Sequence, residues 1–349
     1  MADKRKHRTV SLNPDAVLRL MRDNVWSIEY LAHRADLSPG TVSAAINGKH
    51  PAYWSTAENL RKAFKLDSLE PLLHSDAVAA TNEDSPRIHE WLLDRSESQW
   101  ITASNQLQFR IWRLQHEHLP KYGRGKCYDL EGMATDERSR CRSQFLRHAE
   151  VCSKIGRHPN IITNVTTCES PQKNGWWVID EWIDGVTLSE RMRQGSIDRR
   201  EASEISLQIA VGLNALNQCG IIRRELTPQS ILLESNTNRV VLTEFELAKL
   251  LDGSPTVSSQ DWPVDPYRAP EAGSDDVDHR ADIYSWARIT MQMLLGELPP
   301  EGDATTQLKA AKLPKQVETF LSKCVAVSRR TRPDNLADAI NVLTSWRTS

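Results

Sequence analysis

Between residues 13 and 73 apolar positions recur at helical spacing, with turn signals between them and no run that reads as a strand. The pattern predicts a helix over 14–24 (PDAVLRLMRDN), with Asn13 as its cap and Pro14 in its first turn. It predicts a second helix over 28–35 capped by Ser27, a third from Pro39 or Gly40 to Asn47, and a fourth over 55–64 (STAENLRKAF). Residues 76–90 (DAVAATNEDSPRIHE) are polar and poor in large apolar side chains, as a linker is. Beyond them the period changes. Residues 107–114 (LQFRIWRL) and 176–179 (WWVI) predict strands, and 143–155 predicts a helix. After Leu188 helical periods dominate, at 201–217, 281–295 and 336–346. The chain is therefore expected to be multi-domain: an all-α bundle over 1–75, a linker over 76–95, and an α+β domain over 96–349. The last divides into a strand-rich small lobe, about 96–182, and a helical large lobe, about 183–349.

Composition narrows the classes. The chain has 349 residues, 39% of them hydrophobic, 26% charged and 6% aromatic, which excludes disordered and collagen-like proteins. No apolar run is long enough to span a bilayer, and the charged start (MADKRKHR) lacks the apolar stretch of a secretory signal, so a cytoplasmic protein without membrane contact is expected. Six cysteines without a CxxC pair argue for reduced, mostly buried thiols rather than zinc or disulfides. Residues 1–80 hold 11 Lys/Arg against 9 Asp/Glu, too mild an excess to mark a nucleic-acid surface by charge alone. Of the 11 tryptophans, Trp176, Trp177 and Trp182 read as core rather than as a stacking platform, and His116 with His118 lacks further ligands for a metal.

Residues 27–49 (SIEYLAHRADLSPGTVSAAINGK) resemble the helix-turn-helix of the phage Cro-type repressor family, and 41–49 is also similar to the lactose-repressor type. The usual turn glycine is Asp36, a residue that tolerates left-handed backbone. The resemblance implies that the third helix enters the major groove of duplex DNA. Ser38, Gly40, Thr41, Ser43, Ala44 and Asn47 would then face bases or sugars, and Lys49 a phosphate. A basic arm (Lys4, Arg5, Lys6, Arg8) suits phosphate contact, whereas a face without Arg or Gln implies modest discrimination among sequences. The alternative is a small bundle that contacts protein.

Residues 219–233 (CGIIRRELTPQSILL), 242–250 (LTEFELAKL), 267–271 (YRAPE) and 282–287 (DIYSWA) form an ordered set resembling the eukaryotic-type Ser/Thr protein kinase fold. Residues 177–188 (WVIDEWIDGVTL), 158–161 (HPNI) and 329–333 (RRTRP) extend it to a bilobal, kinase-like domain. The motifs that perform chemistry are altered. His-Arg-Asp becomes Arg223-Arg224-Glu225, the metal-binding Asn becomes Ser230, and Asp-Phe-Gly becomes Glu244-Phe245-Glu246. Each catalytic carboxylate is thus one methylene longer, a shift of about 1 Å that can cost on the order of a hundredfold in rate. Residues 96–122 contain no glycine for a phosphate-covering loop. At the third-strand lysine position stands Tyr128, with Lys126 two residues away on the same face, either a substitute amine or a surface lysine. His148 takes the place of the helix glutamate, with Glu150 out of phase, and Asp180 and Glu246 add negative charge against a triphosphate. The residues that hold the fold remain: Phe245, Asp282, and Glu271 with Arg332. Ser254, Thr256, Ser258 and Ser259 offer hydroxyls to another kinase.

The leading expectation is a prokaryotic regulator of transcription that binds DNA and carries a catalytically impaired kinase-like domain, a pseudokinase, for partner binding or sensing. It would have no cofactor and no metal site, a protein partner on the kinase-like domain, and a homodimer on paired half-sites. One alternative is an active, non-standard Ser/Thr kinase brought to its target by DNA, using ATP and Mg²⁺, with Glu225 as base, Glu244 as metal ligand and Lys126 on the phosphates. Another is an accessory subunit of a phage-defence or mobile-element assembly.

Overall fold

In the computed structural model, which describes residues 9–10, 12–24, 26–47, 52–66, 69–73, 87–103, 107–171, 175–251 and 265–347, the early helical periods become α1 (Pro14–Asp23), α2 (Ile28–Arg34), α3 (Pro39–Asn47) and α4 (Trp54–Phe64). The cap residues act as expected. The Ala16 amide donates to Asn13 Oδ1, and Ser27 Oγ accepts from the Tyr30 amide. Asp36 takes φ +54°, so the turn between α2 and α3 closes without glycine. Val17, Leu31, Val42 and Leu60 are fully buried and give these helices one shared core. A short antiparallel pair, β1 (Thr9–Val10) with β2 (Ala52–Tyr53), was not readable from periodicity because each strand has two residues.

The chain divides into two units, Met1–Arg87 and Ile88–Ser349. The expected linker therefore ends too late. Residues 87–96 form β3 (Arg87–Ile88) and β4 (Trp91–Ser96) of the sheet that opens the second unit, where Trp91 is buried. Polar neighbours on both sides hide this short apolar run in the sequence. The rest of the expected linker, residues 76–86, lies outside the described residues.

The sheet continues through β5 (Ile101–Thr102), β6 (Gln108–His116), β7 (Tyr122–Asp129), β8 (Asn164–Glu169) and β9 (Gly175–Glu181), in the order β3-β4-β6-β7-β9-β8 with β5 beside β6. Side chains alternate across it. Trp176 and Val178 face one way, with Tyr128 and Phe145, while Trp177 and Ile179 face the other, with Trp91 and Leu114. Helix α5 (Thr135–Ile155) covers the first face and starts eight residues before its expected position, because its opening turns are largely exposed and carry no apolar period. Gly123 and Gly125 on β7 make room for the second face: a Cβ on Gly125 would lie 2.6 Å from Leu114 Cδ1.

The remainder is mainly helical: α6 (Leu188–Gln194), α7 (Arg199–Gln218), α8 (Arg280–Leu295), α9 (Ala304–Ala310), α10 (Lys315–Cys324) and α11 (Ala337–Arg347). Two small sheets accompany them, β10 (Gly185–Thr187) with β12 (Ile231–Glu234) and β13 (Val240–Leu242), and β11 (Ile221–Ile222) with β14 (Lys249–Leu250). The core runs between α7, α8 and α11, where Ile209, Trp286 and Ala339 are fully buried. No helix among the described residues is long and apolar enough to cross a membrane.

Arg332 is the polar anchor of this half. Its guanidinium binds Glu271 at 2.5 and 3.0 Å, donates to the carbonyls of Ala326, Arg280 and Val327, and lies 4.8 Å over the Tyr284 ring. Removing it takes the cation from Glu271 and one donor from each of three carbonyl oxygens. Arg332→Ala is expected to cost roughly 3 kcal/mol and to lower the melting temperature of the full chain's kinase-like half by several degrees, with Arg332→Lys restoring only part. Differential scanning calorimetry checks both.

Candidate active site

Strand β7 builds the site by alternation. Because Gly123, Gly125 and Cys127 face the sheet's outer side, Arg124, Lys126 and Tyr128 all face the side covered by α5 and the large lobe. Lys126 is therefore buried, which removes the surface-lysine alternative. Its Nζ lies 3.3 Å from both Glu244 Oε1 and Glu246 Oε1 and 4.2 Å from the centre of the Phe109 ring. Arg124 Nη2 reaches the same Glu244 oxygen at 3.4 Å, and the Tyr128 hydroxyl donates to Glu246 Oε1 at 2.6 Å. Burial pushes the Glu246 carboxyl up, but Lys126, His148 with Nδ1 3.9 Å from Glu246 Oε2, and the Tyr128 hydroxyl outweigh it and hold the pKa down at about 2.

The helix supplies no carboxylate to this lysine. His148 sits fully inside, with Nε2 2.8 Å from Asp180 Oδ1, while Glu150 is exposed and pairs with Arg147 at 3.2 Å. Asp180 also accepts from Asn164 Nδ2 at 2.9 Å, and the Phe245 amide donates to His148 Nδ1 at 3.2 Å. The negative charges that the sequence sets against a triphosphate are thus both partnered inside the protein.

Below, Asp282 of α8 accepts from the backbone amides of Arg223 and Arg224 at 2.8 and 2.9 Å, fixing the loop that carries Glu225. Burial raises the Asp282 pKa to about 6 against those two hydrogen bonds. Arg223 stacks over Phe245 at 4.9 Å, and its guanidinium nitrogens find no hydrogen-bond partner among the described residues. Glu225 pairs with Arg268 at 3.3 Å. Ser230 turns its hydroxyl back to the Thr227 carbonyl at 3.0 Å. Glu244 takes φ +65°, the bend that aims its carboxylate at β7.

Lys126, Glu225, Ser230, Glu244 and Glu246 line one cleft of about 500 Å³. The structure thus gathers the expected Lys126, Glu225, Ser230 and Glu244 around one cleft. Arg124 was not anticipated, although the i, i+2 alternation with Lys126 was available in the sequence. The pairing of Glu246 with Lys126 had no local signal.

In the first unit, Ser38 caps α3 through its Oγ, which accepts from the Thr41 amide at 3.1 Å. Gly40, Ala44 and Asn47 are exposed, Thr41 and Ser43 half-buried, and Asn47 Nδ2 donates to Ser43 Oγ at 3.3 Å. The basic arm, Lys49 and the hydroxyls of 254–259 lie outside the described residues.

The depressed pKa of Glu246 has a stability consequence. A carboxyl held below its ordinary value stabilises the fold fully above about pH 4.5, and that contribution fades as pH falls through about 2. Glu246→Gln is therefore expected to be less stable than the wild type at pH 7, with the gap closing between pH 4.5 and 2. Urea unfolding of the full chain at pH 7, 4.5 and 3 measures it.

Comparison with known proteins agrees with this geometry. The family model described as protein kinase domain matches residues 125–345. The chain is 33% identical over 168 residues to the serine/threonine-protein kinase PknB of Mycolicibacterium smegmatis, covering 46% of this chain and 27% of that one. It is 31% identical over 167 residues to the PknB of Mycobacterium leprae, with 46% and 26% covered, so it spans about a quarter of the length of these curated relatives. The crystal structure of the Mycobacterium tuberculosis PknI kinase domain, C20A_R136A double mutant, superposes with a TM-score of 0.57 at 20% identity, over 75% of this chain and 98% of that one, a likeness of fold. With the family model covering more than half of its length, the chain belongs to the protein kinase domain family.

Proposed function

We propose that the second unit is a Ser/Thr protein kinase with a non-standard catalytic set. The observation that carries this is the position of Lys126: buried, on the strand that faces the cleft, and 3.3 Å from Glu244. Phosphoryl transfer depends on positioning and electrostatics rather than covalent chemistry. A cleft with one amine and two partly exposed carboxylates at the required places has the parts for it. Glu225 would take the proton of the accepting hydroxyl, Lys126 would hold phosphate oxygens, and Glu244 would hold magnesium, its longer side chain balanced by the Arg124 contact. The ion would neutralise charge developing on the transferred group.

A second reading, a kinase fold without catalysis, is favoured by a different observation. Two cations already occupy Glu244, and Ser230 points into its own turn. The two readings separate by experiment. With ATP and Mg²⁺, the full chain is expected to phosphorylate Ser or Thr in a generic basic protein, and Glu225→Gln is expected to lower the rate by about 10² or more. No transfer, with no melting shift by ATP and Mg²⁺, leaves the second reading.

For the first unit we propose duplex DNA as the ligand, read by α3. The support is local: Asp36 makes the left-handed turn, Ser38 caps the helix, and the face with Gly40, Ala44 and Asn47 is open to solvent. Paired half-sites would make the working form a dimer. Binding of the full chain to double-stranded DNA is expected to weaken steeply with salt, and Lys49→Ala to reduce that slope by about 1, as loss of one phosphate contact does. A slope unchanged by Lys49→Ala removes that residue from the interface.

A further inference from the structure

We propose that Glu246 is the residue that positions Lys126, doing from the segment after β13 what a helix carboxylate does in the usual kinase arrangement. This rests on the phosphoryl-transfer reading for its functional meaning, though not for its geometry. In that usual arrangement a glutamate on the small-lobe helix pairs with the strand lysine, and helix movement makes or breaks the pair. Here the helix has His148 at that point, engaged with Asp180, and its nearby carboxylate, Glu150, is exposed and paired with Arg147. Lys126 instead meets Glu246 at 3.3 Å.

The contact has the marks of a built anchor. Glu246 is buried, so its charge must be met by a cation or by donors. The Tyr128 hydroxyl, two residues along the same strand face, donates to the same oxygen, Oε1, at 2.6 Å and orients the carboxylate toward Lys126. Glu244 binds Lys126 too, but its side chain is 25% exposed against 7% for Glu246, which leaves it the more open to a ligand of the two carboxylates in the cleft. Glu246 and Glu244 therefore divide the work, one as the fixed partner of the amine and one at the ligand. The helix is held mainly through His148, whose Nε2 meets Asp180 on β9 and whose Nδ1 accepts from the Phe245 amide and lies 3.9 Å from Glu246 Oε2, so α5 offers Glu246 a ring rather than offering Lys126 a carboxylate. The amine's position is thereby independent of any carboxylate on α5.

Amine reactivity tests this without nucleotide. The full chain is treated with limiting acetylating reagent, and modification at each lysine is timed by mass spectrometry, with the exposed Lys121 and Lys315 as references. In Glu246→Gln, Lys126 is expected to react about tenfold faster relative to those references, as loss of one charge-assisted hydrogen bond implies, and Glu246→Asp to fall back toward the wild type. An unchanged Lys126 rate in Glu246→Gln overturns the proposal. Should that variant not fold, zero-length carbodiimide coupling of the wild type decides instead: a Lys126–Glu246 amide upholds the anchor, and coupling of Lys126 to Glu244 alone overturns it. The kinetic companion is a rise of about tenfold in KM for ATP in Glu246→Gln with KM for the protein substrate unchanged, where a general folding defect would move both. A wild type that neither binds ATP nor transfers phosphate overturns the kinase reading only, since the acetylation rates still decide the role of Glu246.

Discussion

A carboxylate shut away from water has to be met by cations and donors, and at Glu246 that requirement joins parts of the kinase half that are far apart in sequence. Its oxygens bring together Lys126 and Tyr128 of β7 and the segment following β13, while the adjacent Phe245 amide reaches His148 of α5. The direction of Lys126 and the link between β7, α5 and the segment after β13 go with satisfying these few charges. Had Glu246 been glycine, as the family motif has it, Lys126 would keep Glu244 alone, and Tyr128 would keep a buried hydroxyl without this acceptor.

The strand pleat explains why these side chains can meet at all. Glycines at 123 and 125 surrender the outer face of β7 to Trp91, Leu114 and Trp177, and that close packing fixes the opposite face, with Arg124, Lys126 and Tyr128, against the cleft. Glycine here is a packing device rather than a phosphate cradle. Residues 96–122 contain no glycine, and Gly123 and Gly125 are taken up by this packing.

Much of the scaffold was legible beforehand because its signals are local or belong to fixed motifs. Asn13, Ser27 and Asp36 announce caps and a turn within a few residues, and the structure uses each in that way. Glu271 and Arg332 stand in motifs that the sequence pairs, and that contact forms, whereas Asp282 is recognisable as an anchor but its hold on the Arg223 and Arg224 amides appears only in space. What stayed hidden was long-range or lacked periodicity. The first turns of α5 are polar and exposed, the opening strands of the sheet are short and flanked by charge, and Glu246 meets its partner across 120 residues. A sequence shows that a carboxylate is present; it does not show which amine a distant strand will bring beside it.

That difference alters how the departures from the family pattern should be weighed. Taken singly, Glu225, Glu244, Glu246 and Asp180 each look like a loss or a repulsion. In space each has a cation or an ionisable ring within reach: Arg268 for Glu225, Arg124 and Lys126 for Glu244, Lys126 again for Glu246, and His148 for Asp180. One of these partners, His148, itself stands where the family's motif places a glutamate. Coupled changes of this kind are non-additive, because each removes the penalty that the other would impose alone. The cleft is therefore better described as one rearranged charge network than as a kinase site from which parts have been deleted. A group entering the cleft meets Glu244 already paired with Arg124 and Lys126 rather than an unpaired charge.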